Sequence, residues 1–401
     1  MRILKDSFIY LVGELINKSL PFLLLPYLTR KLGTEGFGEL SYYLTILALL
    51  SICIGLSQEG AVTRYFYFYG NKAIDLIVRA GYLYNILFST VCLIISWILK
   101  SEIIAYITLI ATFNSFLSVQ LALRQAQKQP IPYIMIQFLS SVSLVVFTVL
   151  MLEYVAGDRV VNRLLALLLS SALVFFITYL FINKSFKISR KFSLENYKSA
   201  LVYIFSFGIP LILHQLSFFM KGQVDRIFIY KLYSATELGV YSAGVQIASV
   251  LTIFFMALNK AITPYYYEGL KNKELTVEKI KKYTLVSFVF ISLPAFICYF
   301  LPNRLFVWFL GVGFGESQFY TVLFLIGYGL TLPYLILANY LFFYGKNKLI
   351  AGITFSTSVI YIILLIILSE LSIKFIPFSL IFSNLLIVVI LWILVSKNQE
   401  T

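Results

Sequence analysis

The chain has 401 residues, 60% of them hydrophobic and 12% charged, with a mean hydropathy of +0.89 and a formal net charge of +14. That composition excludes a soluble globule and leaves room for about twelve apolar runs of the ~20 residues that a helix needs to cross a bilayer. A membrane β-barrel is excluded as well, because its strands alternate in hydropathy over about ten residues, whereas these runs are continuous.

The predicted spans lie near residues 7–28, 37–60, 80–99, 103–123, 131–152, 163–183, 199–221, 238–262, 283–301, 318–342, 349–369 and 375–396. The first follows Arg2 and Lys5 but is too long for a signal-peptide core and lacks a small-residue cleavage site, so it reads as a retained span. Cys53, Cys92 and Cys298 lie far apart within apolar runs, with no CxxC or metal-ligand spacing, and read as packing residues. No cofactor or metal is expected. With both termini on one side, the Lys and Arg residues of that side outnumber those of the other two to one. The positive-inside rule then places both termini in the cytoplasm, and basic loops beside anionic lipid account for the charge without nucleic acid.

Seven spans carry no Asp, Glu, Lys or Arg; the charges gather elsewhere. Spans 1 and 2 hold Glu14, Lys18 and Glu59, while spans 7 and 8 hold His214, Lys221 and Lys260. An ionisable group inside a bilayer costs several kcal/mol unless it faces a wet cavity or a partner, and therefore marks a transport path by default.

The longest basic connection divides the chain into an N-lobe (1–183), a cytoplasmic basic linker (184–198) and a C-lobe (199–401). A repeat spans the division. Thr34-Glu35-Gly36-Phe37-Gly38-Glu39-Leu40-Ser41 returns as Thr236-Glu237-Leu238-Gly239-Val240-Tyr241-Ser242, one residue shorter. Ala61-Val62-Thr63-Arg64-Tyr65-Phe66-Tyr67 returns as Ala261-Ile262-Thr263-Pro264-Tyr265-Tyr266-Tyr267. Six spans separate the copies, so both point the same way across the membrane. Parallel repeats of this kind are one architecture that transporters use for alternating access.

Polar side chains recur at helical spacing on a few spans. Tyr10, Glu14, Asn17, Lys18 and Pro21 share a face of span 1; Glu14 and Lys18 read either as a buried ion pair or as lining for a cavity. Span 7 carries Pro210, His214, Ser217, Lys221 and then Asp225, span 8 carries Ser242, Gln246, Ser249, Met256, Lys260 and Thr263, and span 4 carries Gln120 and Arg124. Arg124, Lys221 and Lys260 lie near span ends, where snorkelling to the interface competes with cavity lining. Positive charge exceeds negative on these faces, which suits an anionic cargo held by charge-assisted hydrogen bonds. Glu14, Glu59 and Asp225 are candidates to bind a coupling H⁺ or Na⁺, because a carboxylate beside cations changes state with occupancy. The tyrosines of 65–69 and 265–267 read as an interfacial belt or as platforms for sugars.

The run from Pro21 to Gly38, with its Pro-Tyr-Leu-Thr-Arg-Lys-Leu-Gly core followed by Phe37-Gly38, resembles the opening of the Wzx-type O-antigen and polysaccharide repeat-unit flippases, members of the multidrug/oligosaccharidyl-lipid/polysaccharide exporter superfamily. The resemblance implies an all-α integral membrane fold of twelve helices in two six-helix lobes forming a V. It implies translocation of an undecaprenyl-pyrophosphate-linked oligosaccharide to the periplasmic leaflet of the bacterial inner membrane, with membrane lipids around it and a polysaccharide polymerase and chain-length regulator as candidate partners. Related lipid II flippases carry a basic cavity residue where Lys18 stands; a second arginine of theirs is replaced here by Leu24. Lys18, Arg124, Lys221 and Lys260 are thus the expected substrate-binding residues. The rival readings are a drug/cation antiporter of the same superfamily, whose cavity should be acidic or aromatic, and a polytopic polymerase or glycosyltransferase. For the last, no DxD, HExxH or long extramembrane loop is present.

Overall fold

A computed structural model describes residues 22–70, 73–182 and 193–397. Among these residues every regular element is helical, as the bilayer requires of a span that must satisfy its backbone polar groups without water. Eleven described helices are long and apolar enough to cross a membrane, so this is a multi-pass membrane protein. Span 1 lies mostly outside the described residues.

Local chemistry sets where the helices begin and break. The expected connection between spans 1 and 2 is itself helical: α1 runs Leu25–Gly55, interrupted at Gly33 (φ 69°, ψ −177°), a conformation that a Cβ would strain. Span 2 stops short of residue 60. Leu56 and Ser57 both turn left-handed (φ 45° and 52°), and α2 restarts over Gln58–Tyr69. Then follow α3 (Ile74–Ile98), α4 (Glu102–Ala126), α5 (Pro130–Tyr154) and α6 (Arg159–Ile177), which ends in a π turn over Thr178–Ile182. Ser101 and Asp158 cap α4 and α6, accepting hydrogen bonds from the amides of Ile104 and Val160. The 39-residue α7 (Leu194–Leu232) absorbs residues 194–198, which the sequence suggested were linker; the rest of that linker up to 192 lies outside the described residues. α8 (Ala235–Lys271) and α9 (Val277–Phe300) precede a short α10 (Asn303–Leu310). Span 10 is two helices, α11 (Ser317–Gly329) and α12 (Thr331–Phe343), meeting at Leu330 where Pro333 cannot donate to the helical ladder. α13 (Asn347–Leu371) and α14 (Ile376–Lys397) complete the chain.

Two compact units emerge: Met1–Leu24 with Tyr43–Leu216, and Leu25–Tyr42 with Ser217–Thr401. Their boundaries cut through α1 and α7 and so differ from the expected division into 1–183 and 199–401. In the first unit α4 packs on α2, α3 and α6, and α5 on α6. In the second α8, α9 and α14 pack on α11, and α13 on α14.

The packing is inside-out relative to a soluble protein. On α5 the exposed stripe is Ile131, Met135, Phe138, Val142, Val146 and Leu150, whereas Ser141, Ser143 and Thr148 are buried. The Ser143 hydroxyl meets that of Ser170 on α6 at 2.7 Å. Lipid exerts no hydrophobic drive between helices, so small residues and interhelical hydrogen bonds hold them. Arg163, the first residue of the sixth predicted span, is buried in α6 and donates to the Thr148 hydroxyl. The cause is the start of α6 at Arg159, which carries its first turn into the protein.

The sequence repeat has a structural counterpart in the second unit. Thr34 to Gly38 follows the Gly33 break, and Thr236 to Gly239 opens α8 behind the Ser234 cap, so each copy encodes a helix start. The two starts then touch. A Cβ on Gly38 would fall 1.8 Å from the Ala235 carbonyl oxygen, and one on Gly239 would fall 1.9 Å from that of Thr34. Backbone meets backbone reciprocally, and only glycine permits it. Gly38→Ala and Gly239→Ala should each destabilise the protein by about 1–3 kcal/mol, read as a lower thermal midpoint in detergent. Gly352→Ala, where nothing lies within 4 Å, should not.

Candidate functional site

The most chemically loaded cluster lies in the second unit and is built on α7. Helical periodicity puts Ser217, Lys221 and Asp225 on one face, and Ser217 and Asp225 are each only 4% exposed. The Asp225 carboxylate accepts a hydrogen bond from the Tyr241 hydroxyl on α8 and another from the Arg226 amide at 3.0 Å. Tyr241 is itself fixed between Tyr320 and Phe324 of α11, each ring centroid 5.2 Å away. One turn before Asp225, the Lys221 ammonium donates to Thr357 Oγ1 on α13 at 2.9 Å. Tyr361, one turn beyond Thr357, is buried and Tyr328 on α11 is half-buried, both within electrostatic range of Asp225.

Arg226 does not neutralise this carboxylate. Its guanidinium instead donates to the Gly222 carbonyl and to Gln223 Oε1, both at 2.7 Å. Among the described residues Asp225 forms no salt bridge. A buried carboxylate with two donors and no counter-cation is costly unless a proton or a small cation joins it. Among the described residues no group of three His, Cys, Asp or Glu side chains could hold a metal ion.

Lys221 and Asp225 make their hydrogen bonds to residues other than the remaining candidates. Lys260 is exposed on α8 in the same unit. Arg124 belongs to the first unit and is 3% exposed, donating to Gln129 Oε1 at 3.0 Å and to Gln127 Oε1 at 3.5 Å. Glu59, half-buried, sits in the first turn of α2 beside the Leu56–Ser57 break, where a helix N-terminus favours negative charge. Around that break the buried Gln58 donates to Asn85, Asn85 donates to Ser115 Oγ at 2.8 Å, and Gln215 of α7 donates to Ser57 Oγ at 3.0 Å. His214 is exposed. Glu14 and Lys18 lie outside the described residues.

Tyr241, Thr357 and Tyr361 were not legible as site residues from sequence. Only Tyr241 had a signal, its place in the repeat two positions after Gly239. Thr357 and Tyr361 lie in a span without a charge.

This helical arrangement has counterparts of known structure. The chain superposes on an inward-facing multidrug resistance MATE family transporter of the MOP superfamily with a TM-score of 0.68, at 16% identity, covering 96% of this chain and 98% of the other. An outward-facing transporter of the same description gives 0.60 at 14% identity, covering 100% and 95%. At those identities the likeness is one of fold. Sequence relatives identify the family. A protein of Haemophilus influenzae called Lsg locus putative protein 1 is 50% identical over 401 residues, the full length of both chains. A second membrane protein of that organism is 43% identical over 400 residues, covering 100% of this chain and 98% of its own. Residues 3–269 match the family described as polysaccharide biosynthesis protein, and the chain belongs to it.

The Asp225–Tyr241 contact should behave as a coupled buried pair. Tyr241→Phe should cost about 1–3 kcal/mol by leaving the carboxylate short of a donor, and much less in an Asp225→Asn background. Thermal unfolding of the four proteins in a double-mutant cycle measures this coupling, and additive losses would contradict it.

Proposed function

We propose that the chain is a flippase for an undecaprenyl-pyrophosphate-linked oligosaccharide, an O-antigen or capsule repeat unit. The cargo moves from the inner to the outer leaflet of the bacterial cytoplasmic membrane by alternating access. The observation that carries this reading is a polysaccharide biosynthesis family on a transporter fold. An oligosaccharide head bears many hydroxyls, each costing several kcal/mol in hydrocarbon without a partner, so the cargo needs a protein path. The chemistry proposed is transport, with no bond made or broken.

In this reading Lys18, Lys221 and Lys260, with Arg124, attract the pyrophosphate, while the polyprenyl tail stays in lipid. Asp225 binds H⁺ or Na⁺ and resets the protein, with Glu59 and Glu14 as alternative coupling groups. Both termini face the cytoplasm, so the cargo's negative charge leaves a negative interior, gaining roughly 2.3 kcal/mol per charge per 100 mV. A polysaccharide polymerase and a chain-length regulator are the partners that would receive the flipped unit. A second reading, a drug/cation antiporter, takes its support from the multidrug transporters of like fold.

The test is transport by purified protein in proteoliposomes with an imposed ion gradient. The lipid-linked repeat unit should move, and Asp225→Asn should slow gradient-driven movement by at least roughly tenfold. Unchanged flipping in Lys18→Ala would remove Lys18 from the site. Transport of ethidium without movement of the lipid would replace the flippase by the antiporter.

A further inference from the structure

The first unit contains an apolar groove between α3 and the beginning of α7, lined by residues other than those of the Asp225 cluster. Its volume is about 780 Å³. One wall is Arg79, Tyr82, Leu83 and Ile86; the other is Leu194, Tyr197, Lys198, Leu201, Val202 and Phe205. Both walls follow helical spacing, so each helix turns one continuous face to the groove. The α7 wall, from Leu194 to Phe205, is about 17 Å long at 1.5 Å per residue. Leu83, Ile86, Leu194 and Val202 are exposed, as residues open to lipid are.

The groove has a polar end. Arg79 and Lys198 stand on opposite walls, both toward the ends of their helices that the sequence places in the cytoplasm. Asp75, one turn before Arg79, approaches its guanidinium at 3.9 Å and is partly exposed, which offsets that charge only in part. Beyond these residues the lining is apolar. A slot for hydrocarbon beneath two facing cations matches a lipid with one chain and more than one negative charge.

We infer that this groove is a docking site for the polyprenyl pyrophosphate end of the cargo at the inner leaflet, with the pyrophosphate between Arg79 and Lys198 and the chain along Leu83, Ile86, Leu201 and Val202. The inference rests on the flippase reading and adds to it a loading site on the lipid-facing surface. A diacyl phospholipid fits less well, having two chains and, in its common anionic form, one charge.

The experiment uses the full-length protein in nanodiscs, with undecaprenyl pyrophosphate as the probe and dioleoyl-phosphatidylglycerol as the competitor. Arg79→Gln with Lys198→Gln should weaken probe binding roughly tenfold, since charge-assisted contacts to phosphate are lost. Val202→Trp, which fills the slot and leaves both cations in place, should weaken it as well. Both proteins should retain the wild-type thermal midpoint within a few degrees, which separates lost binding from lost folding. Unchanged probe binding in both variants overturns the inference, as does displacement of the probe by phosphatidylglycerol as readily as by undecaprenyl pyrophosphate itself. Wild-type flipping alongside unchanged binding in the variants would sink the groove and leave the flippase standing. Groove-dependent binding without flipping by the wild type would do the reverse.

Discussion

Hydrocarbon offers no hydrogen-bond partner, and that constraint organises the protein from backbone to site. Each span closes its own amide ladder, and each break in a ladder is covered by protein. At Leu56–Ser57 the break is attended by Gln215, by the Gln58–Asn85–Ser115 chain and by Tyr84, whose hydroxyl donates to the Cys53 carbonyl at 2.8 Å. Gly208 of α7 presses close to the Leu56 carbonyl, where a Cβ would fall 2.3 Å from the oxygen. The helix is unwound where another helix can approach it. The same constraint turns hydroxyls inward on α5 and α6 and leaves the apolar side chains to lipid.

Against that background Asp225 is a buried carboxylate in the second unit that forms no salt bridge among the described residues. Two donors hold Asp225, and Arg226 is directed to its own helix. A merely structural ion pair would have aimed that guanidinium at the acid, because breaking such a pair in a dry interior costs several kcal/mol. Lys221, one turn away, is held by a neutral hydroxyl on α13. Acid and base thus lie on one face of α7, each tied to a different helix.

The reciprocal Gly38–Gly239 approach links the repeat to this geometry. Gly239 lies two residues before Tyr241, so the turn of α8 that lets two backbones meet also positions the hydroxyl that holds Asp225. Arg30 reaches the Trp308 carbonyl on the same side of the unit, and Phe37 meets Phe314 edge-on with centroids 6.1 Å apart. Residues 30 to 38 are therefore clasped by α8 and by the α10–α11 connection. That clasp explains why this stretch of α1 belongs to the second unit although it lies early in the chain.

Hydropathy by itself determined the membrane class and the approximate places of the eleven described spans, several of which run well past their predicted ends, because burial in lipid is read one segment at a time. Lys221 was visible as a charge at the end of an apolar run, and Asp225 by its helical spacing one turn further on. What only the tertiary structure decided were features made by two segments together. The left-handed turn at Leu56–Ser57 contains no glycine and is met by α7 at Gly208 and Gln215. Arg163, at the edge of its predicted span, is carried inward by α6 to Thr148. Thr357 and Tyr361 carry no signal on their own helix; α7 and α8 give them meaning by bringing Lys221, Asp225 and Tyr241 beside them. A single chain records what each segment prefers, whereas a polar group in hydrocarbon is defined by the partner that satisfies it.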